Sequence, residues 1–134
     1  QRLPVAQLAA GDGCLVAVWI TNSRHVQQFV EQVLFPRWGA RVLARWYWLK
    51  VAADGSLATG ASPRSPHRKP WEPLLLGYIG ETPPPSVPAR HVICSVPLGH
   101  SHKPPLCALL RPIATQLAPP KGGVPSPCSA PEDV

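Results

Sequence analysis

The chain has 134 residues and a net charge of +6, with 45% hydrophobic and only 15% charged residues. That length holds one domain or part of one, and its longest apolar run, around Leu15–Ile20, is far short of the roughly 20 residues that a membrane helix needs. The positive balance admits a polyanion such as nucleic acid as partner.

The first clear element is Cys14–Ile20, read as C-L-V-A-V-W-I after a Gly11–Gly13 turn. A short apolar run rich in β-branched and aromatic residues predicts a strand buried on both faces, as in a parallel sheet. Thr21-Asn22-Ser23 then supplies side chains that can cap a helix. Val26, Phe29, Val30, Val33 and Leu34 recur at three- and four-residue steps, which predicts a helix over 25–35 whose extent Pro36 limits. Strand followed by helix is the pattern of an α/β unit.

Three more strands are expected, near 42–50, 74–79 and 91–96, in a mostly parallel arrangement. Asp54-Gly55 marks a turn, and residues 58–70 read as a loop of Ser, Pro, Gly and basic residues. Pro104 and Pro105 suit the first turn of a helix carrying Leu106, Leu109, Leu110, Ile113 and Leu117 on one face, with Pro112 kinking it or ending it near Arg111. Cys14 and Cys94, set in apolar runs, read as buried free thiols. No C-x-x-C pair occurs, and His100 and His102 have no cysteine or acid at ligand spacing, so no metal site is expected.

Two polar islands carry what chemistry the residues offer. In Ser65-Pro66-His67-Arg68-Lys69-Pro70-Trp71-Glu72, the basic residues suit phosphate, Trp71 a stacked base and Glu72 a base donor. A solvated loop anchored by Trp71 is the plainer alternative. The second island, His100-Ser101-His102-Lys103-Pro104, lies between a strand end and a helix start, where open α/β sheets bind ligands and free N–H groups favour anions. Ordinary capping by Ser101 is the alternative there. No Gly-rich phosphate loop is present, since Gly11-Asp12-Gly13 precedes its strand instead of following it.

These islands, with Leu3-Pro4-Val5, Leu15–Asn22, Trp46–Lys50, Leu76-Gly77, Ile93–Pro97 and His100–Leu106, resemble the MT-A70-like family of adenine-N6 methyltransferases. The similarity is greatest to its branch called methyltransferase-like protein 4, and it spans about Leu3 to Leu117. It implies a partial Rossmann-like S-adenosylmethionine-dependent methyltransferase domain of α/β class over 1–118, truncated at both ends; the proline-rich composition of 119–134, without periodicity, reads as a disordered tail. The implied cofactor is S-adenosyl-L-methionine. The implied partners are RNA or DNA containing adenine and a homologous protein subunit, in the nucleus and as a second setting the cytoplasm.

By resemblance, Glu72, His67, Arg68 and Lys69 are substrate-binding, and Lys103, Ser101 and His102 are cofactor-binding. Glu72 and Lys103 are then expected to face a shared cleft. The family's catalytic Asp-Pro-Pro-Trp does not occur in this sequence, so no catalytic residue is assigned and the chain is expected to be inactive alone. The alternative reading is a non-catalytic module that binds nucleic acid or a partner.

Overall fold

A computed structural model describes residues 3–9, 11, 13–58, 64, 69–99 and 102–115. Within them one sheet is built from β1 (Cys14–Trp19), β2 (Arg41–Lys50), β3 (Trp71–Ile79) and β4 (Arg90–Ser95), in the order β1-β3-β2-β4. β1, β2 and β4 lie within a residue of where the apolar runs predict them, whereas β3 starts three residues earlier, at Trp71, and takes Trp71 and Glu72 into the strand. The tail over 119–134 falls outside the described residues.

The direction of one strand departs from expectation. β3 runs antiparallel to both its neighbours, and only β2 and β4 pair in parallel. β1 and β2 still point the same way, as the strand–helix–strand unit requires, but β3 is inserted between them. The cause of the misreading is physical. Leu74, Leu75 and Leu76 are fully buried because β3 is central and covered on both faces, and central cover buries a strand whatever its direction. The fold is thus mixed α/β instead of mostly parallel.

Successive β3 side chains serve opposite layers, as the period of two dictates. Leu75 joins Ile20, Val30, Phe35 and Ala40 in one core layer. Leu74 and Leu76 join Ala44, Trp46 and Ile113 in the other. Registers of Trp19 with Leu74, Leu74 with Trp46, and Trp48 with Glu72 put these residues on the second face.

A long helix over 24–38 links β1 to β2. Ser23 stands at its N-cap position but makes no side-chain cap bond. Pro36 does not limit this helix. Its ring would collide with the carbonyl four residues earlier, and the turns over Val30–Leu34 widen, so that Phe35 donates to the Val30 carbonyl five residues back. The helix then ends at Gly39, whose φ of 70° is left-handed; Gly39 donates to Pro36 O and Ala40 to Phe35 O. Of the expected face, Val30 is buried while Val26 and Phe29 stay exposed, and the unforeseen Phe35 is the deepest contact.

The second helix begins later than its prolines suggest, at Cys107, with Leu106 at the N-cap. Pro105 disfavours helical geometry at Pro104, which keeps this segment extended. Pro112 lies inside the helix without ending it. Leu106, Leu110 and Ile113 pack on the sheet, whereas Leu109 stays 37% exposed. β4 is an edge strand and mostly exposed, so Cys94 is exposed instead of buried; Cys14 is half-buried, and its thiol pKa is pushed up by burial. Both are free, whereas Cys107 is disulfide-bonded. No helix among the described residues is long and apolar enough to cross a membrane.

The seat of the long helix depends on Gly77. A Cβ there would lie 2.5 Å from Phe35 Cε2, itself fully buried. Gly77→Ala is expected to lower unfolding stability by about 1–3 kcal/mol through overpacking. Urea denaturation of both chains, compared at equal m-value, measures it.

Candidate functional site

Because β3 is antiparallel to β1 and β2, its amino end lies beside their carboxyl ends. The carboxyl end of β4 joins the same edge through the pairing of Lys50 with Ser95. This is the edge at which open α/β sheets gather ligand-binding groups. Here it collects Trp19 from β1, Trp48 and Lys50 from β2, Glu72 from β3, Ser95 from β4 and Lys103 from the segment after β4.

Glu72 is the centre. One carboxylate oxygen accepts from Lys50 Nζ and the other from Lys103 Nζ. The two indoles form the floor, edge to face with centroids 5.9 Å apart. The Lys50 ammonium lies 5.0 Å from the Trp48 ring, and the Lys103 ammonium lies 5.8 Å from Trp48 and 5.9 Å from Trp19, all within cation–π range. Trp48 is itself held by an Nε1–H bond to Ser95 Oγ at 2.8 Å.

The side chains of Glu72 and Lys50 are only 21% and 20% exposed. Burial alone would raise the Glu72 pKa, but the bonds from Lys103 and Lys50 outweigh it and hold the carboxyl below its ordinary value. Two ammonium groups against one carboxylate leave the cluster with a surplus positive charge. It can therefore present an ionised acceptor and a cationic donor side by side.

Of the residues expected from sequence, Glu72 and Lys103 are brought together. Lys69 lies with its ammonium 5.4 Å from the Trp71 ring, and the Trp71 carbonyl accepts from Asn22 Nδ2 at 2.7 Å. His102 is exposed and donates its backbone N–H to Gly99 O at 3.4 Å. His67, Arg68 and Ser101 lie outside the described residues. Lys50, Trp19 and Trp48 were not anticipated as site residues. The alternation Trp46-x-Trp48-x-Lys50 at a strand's end is the signal for Trp48 and Lys50, since those three side chains share one face, whereas Trp19 ends a different strand. Two hollows of about 400 and 440 Å³ are lined around Tyr47, on the other face; Leu49, Trp71 and Val92 complete the second, which offers no charged group.

The depressed Glu72 pKa fixes a pH dependence. A carboxyl held below its unfolded value contributes stability that is complete above the ordinary glutamate value of about 4.3. That contribution is lost as pH falls through the lower, folded value. Glu72→Gln is expected to unfold more readily than the parent at neutral pH, with the difference shrinking below about pH 4.3. Thermal melts across pH 2–7 check this; a constant difference across the range would exclude it.

Comparison with known proteins identifies the family. The sequence profile of the MT-A70 family matches residues 1–120. The N(6)-adenine-specific methyltransferase METTL4 of Mus musculus is 41% identical over 122 residues, covering 83% of this chain and 25% of that protein. The N6-methyladenosine RNA methyltransferase MTA1 of Pyricularia oryzae is 37% identical over 123 residues, covering 83% of this chain and 30% of its own length. A DNA N6-methyl methyltransferase of Caenorhabditis elegans is 36% identical over 100 residues, covering 72% and 27%. The chain thus spans about a quarter to a third of the length of these relatives. With its profile matched over most of the sequence and relatives of 37–41% identity over 83% of the chain, the chain belongs to the MT-A70 family of methyltransferases.

Proposed function

We propose that the chain is one portion of a Rossmann-like, S-adenosyl-L-methionine-dependent methyltransferase that acts on adenine N6 in RNA or DNA. It supplies the Glu72–Lys103 part of the site and does not methylate alone. The observation that carries this reading is the pairing of an ionised carboxylate with two ammonium groups on an indole floor, at the carboxyl edge of the sheet, in a chain of this family. Nuclear action and a homologous protein subunit belong to the same reading.

The donor set fits the cofactor by charge. Lys103 can donate to a carboxylate, and Glu72 can accept from an ammonium or an amine, which matches the zwitterionic end of an amino-acid ligand. When bound, S-adenosyl-L-methionine supplies the methyl group from its sulfonium. Lys103, with Ser101 and His102 as neighbours, is assigned to the cofactor's side. Glu72, with His67, Arg68 and Lys69 as a basic approach to phosphate, is assigned to the base's side.

The adenine amine is a weak nucleophile because its lone pair is shared with the ring. It must be held by acceptors and aligned with the methyl donor. Glu72 can serve as one such acceptor, while Lys103, a donor only, cannot. The indoles of Trp19 and Trp48 keep water from one side of the cluster and so strengthen its electrostatics. The sequence contains no Asp-Pro-Pro-Trp to supply the remaining acceptors.

Binding without catalysis is the second reading, favoured by the net charge of +6. The two are separated by one pair of measurements on the purified chain. In a labelled-methyl assay with adenine-containing RNA and DNA oligonucleotides, incorporation is expected to stay at the level of a Lys103→Ala control. Incorporation clearly above that control would overturn the claim that the chain is inactive alone. In a binding titration, oligonucleotide affinity that falls steadily with salt marks a nucleic-acid contact. The absence of any such affinity would remove the nucleic-acid assignment from this chain.

A further inference from the structure

Two lysines meet Glu72, and they are not equivalent. Lys50 ends β2 with its backbone secured on both sides: its N–H donates to Pro70 O at 2.9 Å and its carbonyl accepts from Ala58 N at 3.1 Å. Its ammonium rests near Trp48, which is tied in turn to Ser95. Lys103 belongs to a segment with neither helix nor strand, ahead of the helix that starts at Cys107. It is also more exposed, 33% against 20% for Lys50. The sheet therefore fixes the backbone of one lysine, while the other hangs from a segment outside the sheet and is the more exposed of the two.

We infer that Lys50 is a positioning residue for Glu72, retaining the carboxylate through Oε1 when Lys103 leaves Oε2 to pair with an anionic ligand. The inference rests on the proposed function only for the identity of that ligand. Without Lys50, departure of Lys103 would leave a mostly buried carboxylate with neither lysine beside it, and burial would then favour its protonation. A protonated Glu72 would present an O–H donor and reduced acceptor capacity. With Lys50 in place, Oε2 is released as a charged acceptor, already oriented by the bond at Oε1. Two lysines on one glutamate thus serve in succession: one holds the carboxylate while the other is exchanged.

The test is a carbon-13 carboxyl NMR titration of the full chain, with the Glu72 signal assigned by its loss in Glu72→Gln. Lys103→Gln imitates the departure of Lys103. In that variant the Glu72 midpoint is expected to remain below the ordinary glutamate range. Adding Lys50→Gln raises it, and Lys50→Arg in place of Lys50→Gln brings it back down, a rescue that a merely structural role would not give. Amide spectra confirm that each variant is folded, and if the double variant is not, the Lys103→Gln midpoint decides alone. The inference is overturned if Lys103→Gln by itself returns Glu72 to the ordinary range, if adding Lys50→Gln moves nothing, or if arginine fails to restore the low midpoint. The titration needs neither cofactor nor nucleic acid. A chain that binds neither would count against the proposed function and leave this result standing.

Discussion

The close approach of Phe35 to Gly77 is the contact on which the rest of the molecule hangs. A helix carrying a proline in its last turn does not normally lie flat against a sheet. Here the backbone widens before Pro36 and lets the Phe35 ring settle where Gly77 leaves room. That contact brings the long helix down over β1 and β3 and returns the chain to begin β2 in the same direction as β1. The intervening space is filled by β3, which donates leucines to both layers. Only with β3 seated there does Glu72, at its amino end, come to face the ends of β1 and β2.

The site is thus a consequence of direction. A parallel strand in the same place would carry its amino end, and so Glu72, to the opposite edge of the sheet. The antiparallel insertion puts the one acid of the cluster among groups that otherwise offer indoles and ammoniums. Its charge is retained because the two ion pairs outweigh the cost of burial, and the indoles limit solvent access without competing for its hydrogen bonds. In water such pairs are worth little; against an apolar floor they settle which way each side chain points.

Strand positions were legible because apolar runs bounded by Gly, Pro and Asx residues mark strands reliably. Their directions were not, since Leu74–Leu76 reads alike in a parallel or an antiparallel setting. Pro36 and Pro112 misled for a common reason. Each removes one donor, which ends a helix only when nothing else holds the turn, and at both places packing of Phe35 or Ile113 does. Glu72 and Lys103 came from the family's islands; Lys50 closes another of those islands on the face of Trp46 and Trp48, but its partner follows only from the register that sets Trp48 opposite Glu72. The exposure of Cys94 belongs to the edge position of β4, which no local pattern announces.

The indole floor has an optical consequence. Trp19 and Trp48 stand with centroids 5.9 Å apart and planes inclined at 64°, close enough for their electronic transitions to couple and skewed enough for that coupling to be chiral. The Lys103 ammonium sits almost equidistant from both rings, so its electric field acts on the two chromophores together. Any movement of that ammonium away from Glu72 alters the field on both at once. The cluster thus carries its own reporter, an exciton doublet in circular dichroism whose shape follows the state of the lysine without any added label.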